Sequence, residues 1–126
     1  MSESTHSVLV VDDNRMNRLK MTRALDRGDF LISEASGGQE ALDLLQSQVF
    51  HLVLLDLLMP EVDGFQVLER MQSDQQLARI PVIMVSAVEE KEAVERCLKT
   101  GAVDYITKPV GAETLNDRVR RALHLP

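Results

Sequence analysis

Asp12-Asp13, Asp56, Ser86 and Lys108-Pro109 are the residues of this chain whose types and placement could do chemistry together. Each follows an apolar run. Val8-Leu9-Val10-Val11 leads into the aspartate pair, Leu52-Val53-Leu54-Leu55 into Asp56, and Val82-Ile83-Met84-Val85 into Ser86; Val103 to Ile106 lies just before Lys108. Three carboxylates brought close together repel, so at neutral pH such a cluster must hold either protons or a cation. Oxygen donors with no histidine or thiolate beside them favour a hard divalent ion such as Mg²⁺. An ion with few protein ligands keeps open positions for phosphate oxygens, and one carboxylate can act as a nucleophile to give an acyl phosphate. The Ser86 hydroxyl and the Lys108 ammonium are donor types that stabilise an in-line phosphoryl transfer. A solitary aspartate after a strand more commonly caps the next helix; it is the pair together with Asp56 that favours the cluster.

That chemistry needs elements that carry distant segments to one edge. Short, continuous, β-branched-rich runs are the pattern of parallel strands covered by helices on both faces. Between them lie helical stripes. The first is Met16, Met21, Ala24 and Leu25, closed by Gly28, and the second is Ala41, Leu42 and Leu45 behind a capping box at Ser36-Gly37-Gly38-Gln39. Phe65, Leu68 and Met71 follow a loop with Pro60 and Gly64; Ala93, Val94, Cys97 and Leu98 end at Gly101; Leu115, Val119, Ala122 and Leu123 come last. Phe30 to Ala35 supplies a second strand, and Pro81 opens the fourth, where proline is tolerated. The alternation predicts an α/β fold: a doubly wound five-stranded parallel sheet with five helices and right-handed crossovers. With the first and third strands adjacent, in the order 2-1-3-4-5, Asp12, Asp13 and Asp56 share the crevice at the switch point.

The 126 residues fit one domain, residues 1–126, with the polar start through residues 1–6 and Ser7 read as a flexible lead-in. Composition is that of an ordinary globular chain, 44 % hydrophobic and 27 % charged. A net charge of −6 argues against direct, non-specific nucleic-acid binding. No apolar stretch approaches the roughly 18 residues of a membrane span, and no signal-peptide pattern opens the chain. A single cysteine, Cys97, makes no internal disulfide and fits a cytoplasmic setting. His6, His51 and His124 are scattered without ligand spacing, the six methionines read as core filler, and Arg118, Arg120 and Arg121 make the last helix basic.

Asp12-Asp13, Asp56 within Leu54-Leu55-Asp56-Leu57-Leu58-Met59-Pro60-Glu61-Val62-Asp63-Gly64, Ser86-Ala87 and Lys108-Pro109 together resemble the receiver domain of two-component response regulators. The likeness runs from about Ser7 to Leu123 with every element in the family's order. It implies a flavodoxin-like receiver fold with Asp56 as phosphoacceptor. Mg²⁺ would be held by Asp13, Asp56 and the backbone carbonyl of Leu58, with Asp12 acting mainly through a metal-bound water. Lys108 would contact the phosphoryl oxygens, and its bond to Pro109 would be cis. Ser86 would bond the phosphoryl group, although Ser86-Ala87-Val88-Glu89 also fits a capping box for the next helix. Tyr105 matches the aromatic switch position; a half-buried edge-strand aromatic is the plainer reading.

The implied donor is a histidine kinase or a histidine phosphotransfer protein, and the output an effector domain or a homodimer partner. The chain would be a signalling phosphoacceptor with self-catalysed chemistry rather than a turnover enzyme. Leu58 and Val88 stand where relatives can carry polar side chains that help water reach phosphorus, which predicts a long-lived phosphorylated form. A Mg²⁺-dependent aspartyl-phosphate phosphohydrolase would generally carry an acid at the Leu58 position. An unphosphorylated receiver-like module would lack an acid or the lysine, and an FMN binder would need a Ser/Thr/Gly-rich loop where Asp13-Asn14-Arg15 stands.

Overall fold

A computed structural model describes residues 5–25 and 29–126. Five parallel strands form one sheet in the order β2-β1-β3-β4-β5, comprising β1 (His6–Val11), β2 (Phe30–Ala35), β3 (Leu52–Leu55), β4 (Val82–Ser86) and β5 (Asp104–Thr107). The connecting helices are α1 (Arg15–Leu25), α2 (Gly38–Ser47), α3 (Gly64–Gln72), α4 (Lys91–Thr100) and α5 (Ala112–Ala122). This is the expected doubly wound arrangement.

Period-two alternation divides the buried strand residues between two cores. Leu9, Val11, Val53, Leu55, Val82 and Met84 face the side covered by α2, α3 and α4, where Leu42, Leu68, Met71 and Cys97 pack. Val8, Val10, Leu52, Leu54, Ile83 and Val85 face α1 and α5, against Met21, Leu25, Leu115 and Val119. Apolar residues on both faces explain why the central runs show no polar alternation.

Several local details differ from expectation. Pairing begins at His6 opposite Phe30, so the lead-in ends before His6 and Ser7 belongs to β1. Met16 is 58 % exposed, because five residues before Met21 is well off the face shared by Met21, Ala24 and Leu25. Gly28 lies outside the described residues. The second helix is capped by Gly37, with no side-chain cap; Glu40 instead accepts the Ser36 N–H at 2.7 Å and its hydroxyl at 2.9 Å. The fifth strand starts one residue later than Val103, which is exposed, and Leu98 is also exposed at the rim of α4. A single 3-10 turn, Leu77–Arg79, precedes β4. Of the basic residues on α5, Arg118 pairs with Asp104 at 2.6 Å, and Arg120 pairs with Asp29 while its guanidinium lies 5.6 Å from the Phe30 ring centroid.

The three histidines, though far apart in sequence, line one cavity of about 440 Å³ at the amino-terminal edge of the sheet. His51 Nδ1 accepts the Ser7 N–H at 2.9 Å, which ties that ring to the start of β1.

Candidate functional site: the carboxyl edge of β1, β3, β4 and β5

Register brings the polar strand ends together. Val11 pairs with Leu55 and Leu55 with Met84, so the residues following β1 and β3 emerge side by side. The Asp56 N–H continues the ladder by donating to the Val11 carbonyl at 3.0 Å, and the Lys108 N–H donates to the Ser86 carbonyl at 2.8 Å. The Lys108-Pro109 bond is cis, as expected.

Asp12, Asp13 and Asp56 each offer a carboxylate oxygen, all within 4.8 Å of one another. Asp12 is 0 % exposed and Asp56 6 %, whereas Asp13 is exposed. The Lys108 ammonium lies 2.6 Å from Asp12 Oδ2 and 3.4 Å from Asp56 Oδ2. One ammonium thus faces three carboxylates. Burial pushes the Asp56 carboxyl above its ordinary range, and the neighbouring Asp12 charge adds to this; the Lys108 charge and the Leu58 backbone pull the other way. The electrostatic deficit and the oxygen-only donor set fit a hard divalent cation. A cavity of about 650 Å³ between α1 and α5 is lined by Lys108 but by none of the three aspartates.

Close packing under the crevice depends on glycine. A Cβ on Gly64 would lie 2.0 Å from the Asp56 carbonyl oxygen, and the Gly64 N–H donates to the Leu57 carbonyl at 2.9 Å. Asp63 caps α3 in a capping box with Gln66, fixing the turn from Asp56 into that helix. The Asp63-Gly64-Phe65-Gln66 spacing carries that signal in the sequence and was missed there. Gly38 meets the same loop: its Cβ would lie 2.3 Å from the Val62 carbonyl oxygen.

Every hydrogen-bonding group of Asp12 is engaged. Its N–H donates to the Ala35 carbonyl at 3.2 Å, and its carbonyl accepts from Arg18 Nη1 at 2.8 Å. Oδ1 accepts the Asn14 N–H at 2.9 Å while Oδ2 accepts from Lys108. Arg18 is a second residue that the sequence analysis did not single out.

Ser86 is fully buried and its hydroxyl accepts the Val88 N–H at 3.2 Å. Helix α4 starts five residues later, capped at Glu90, so the Ser86 capping box does not form. The Tyr105 hydroxyl donates to the Val88 carbonyl at 2.7 Å, and its half-buried ring packs on the α2–α4 core. Burial raises the Tyr105 hydroxyl pKa, against a lowering hydrogen bond with Ser86. Leu58 is 60 % exposed at the crevice mouth.

The sequence model of the response regulator receiver domain matches residues 8–120. The chain belongs to the response regulator receiver family. The receiver is 34 % identical over 104 residues to the two-component response regulator ORR3 of Oryza sativa subsp. japonica, covering 82 % of this chain and 79 % of that one. It is 36 % identical over 119 residues to the transcriptional regulatory protein SrrA of Staphylococcus aureus (strain NCTC 8325 / PS 47), which spans 94 % of this receiver but 48 % of that longer protein. The solved structure of Vibrio cholerae chemotaxis protein CheY4 superposes with a TM-score of 0.89 at 27 % identity, covering 95 % of this receiver and 100 % of that chain. Among the described residues no helix is long and apolar enough to cross a membrane.

Proposed function

We propose that this receiver accepts a phosphoryl group on Asp56 from a histidine kinase or histidine phosphotransfer protein in the cytoplasm, as one unit over residues 1–126. The observation that carries the reading is the convergence of Asp12, Asp13 and Asp56 within 4.8 Å beside Lys108. Asp13, Asp56 and the Leu58 carbonyl would hold Mg²⁺, with Asp12 behind them. The ion would supply neutralising charge for the phosphoryl oxygens.

The Asp56 carboxylate attacks phosphorus, the new O–P bond forms, and the donor's imidazole leaves with the P–N electron pair. Lys108 stabilises charge on the equatorial oxygens, as its ammonium already reaches both buried carboxylates. Ser86 turns its hydroxyl from the Val88 N–H to a phosphoryl oxygen. Because Tyr105 is bonded to the same residue, that turn is felt at β5 and α4. The product is a changed binding face for an effector domain or a homodimer partner.

Intact-mass spectrometry after treatment with acetyl phosphate and Mg²⁺ tests the assignment. One phosphoryl mass is expected on the wild type and none on Asp56→Asn; label retained by Asp56→Asn would remove Asp56 from its role.

A further inference from the structure

We propose that Arg18 is a positioning residue for cation binding, acting through the Asp12–Asp13 peptide; the inference rests on the Mg²⁺ reading above. The β1–β2 ladder ends at the Asp12 N–H to Ala35 bond. The next carbonyl, that of Asp12, is left without a strand partner at the point where the chain turns towards α1. A side chain takes the place of the missing strand. Arg18 Nη1 donates to that carbonyl at 2.8 Å, and Nε donates to Glu34 Oε1 at 2.9 Å. The guanidinium is therefore a strut from the end of β1 to β2, carried on α1.

The strut holds the one peptide that controls Asp13. Asp13 is exposed, and among the described residues no ion pair holds its carboxylate. Its direction is inherited from the backbone, and rotation of the Asp12–Asp13 peptide swings it away from Asp56. Asp12 is also fixed from its side chain by Asn14 and Lys108, but those bonds fix its carboxylate rather than its carbonyl. Arg18 is 15 % exposed and its planar fork serves two acceptors at once, which an ammonium cannot do in the same geometry. Outer-shell partners of this kind typically tune metal affinity by 10–100-fold.

Mg²⁺ titrations followed by amide NMR shifts test this on the wild type, Arg18→Ala, Arg18→Lys, Glu34→Gln and, as a control on an exposed face of the same helix, Arg23→Ala. Arg18→Ala is expected to bind Mg²⁺ about tenfold more weakly. Arg18→Lys should recover part of that loss, Glu34→Gln should show a smaller loss, and Arg23→Ala none. At saturating Mg²⁺, acetyl phosphate labelling of Arg18→Ala should return close to wild type, a split that general unfolding would not produce. Wild-type Mg²⁺ affinity in folded Arg18→Ala overturns the inference while leaving the phosphoacceptor reading intact. A wild type that ignores Mg²⁺ overturns both. Should Arg18→Ala not fold, Arg18→Gln takes its place with the same expected loss and the same overturning result.

Discussion

The Lys108 ammonium sits 2.6 Å from Asp12 Oδ2 across 96 residues of sequence, and Asp12 has no exposed surface. This pair joins the segment after the edge strand β5 to the end of β1, across β3 and β4. Removing the ammonium strands a buried carboxylate, a change that typically costs 3–5 kcal/mol. Lys108→Met is therefore expected to lower unfolding free energy by about 3 kcal/mol at pH 7, measured by urea denaturation, and to suppress phosphorylation. Wild-type stability would show that water, not Lys108, satisfies Asp12.

Asp56 should leave a mark on the pH dependence of stability. Its carboxyl is raised above the ordinary 3.8 by burial first and then by the Asp12 charge. A raised acid binds its proton more tightly in the folded chain. Its contribution is fully favourable below the ordinary value and declines as pH rises through the raised one. Asp56→Asn removes that decline. The urea midpoint of the variant should exceed that of the wild type at pH 7, and the gap should close below the ordinary aspartate value. A gap independent of pH would mean that Asp56 is not the group responsible.

Divalent cation should relieve the same repulsion. A ligand that binds only the folded state adds about 2.7 kcal/mol at 100 times its dissociation constant. Mg²⁺ is expected to raise the melting temperature of the wild type, and chelation to reverse it. Asp13→Asn should lose most of the gain, since Asp13 is the exposed member of the cluster. An undiminished gain in Asp13→Asn would place the ion elsewhere.

Gly64 is required by contact rather than by backbone freedom. A Cβ there meets the Asp56 carbonyl oxygen at 2.0 Å, and backbone cannot swing aside as a long side chain can. Gly64→Ala should cost about 1–3 kcal/mol and move the Asp56 loop, slowing phosphorylation as well. Unchanged thermal stability would show that the loop has room to give.

Leu58 is 60 % exposed two residues after Asp56. If Asp56 is the phosphoacceptor as proposed, a hydrocarbon stands where a polar side chain would hold water near phosphorus. Leu58→Asn is expected to lose its phosphoryl group several-fold faster than the wild type. Phosphate release at 25 °C after removal of excess donor measures this. Equal rates would deny Leu58 any part in the lifetime.

How much of this was legible in the residues follows from the range of each signal. Apolar runs at Val8–Val11, Leu52–Leu55 and Val82–Val85 needed no partner to be recognised, because a strand buried on both faces must be hydrophobic along its length. The polar residue ending each run was legible for the same reason, and so was Gly101, whose φ of 127° suits a helix stop. Met16 and Ser36 were misread because a local pattern admits neighbouring registers, and packing chooses among them; for Ser86, the capping box weighed beside its phosphoryl role does not form.

The residue order alone determined the alternation of strands and helices, and with it the types of group delivered to one sheet edge. Only the folded arrangement decided that Arg18 reaches the Asp12 carbonyl, that Gly64 lies under Asp56, and that three distant histidines line one cavity. Burial periodicity is a property of short stretches, whereas hydrogen bonds between distant residues depend on strand register and helix placement. Those are set by the packing of the two cores.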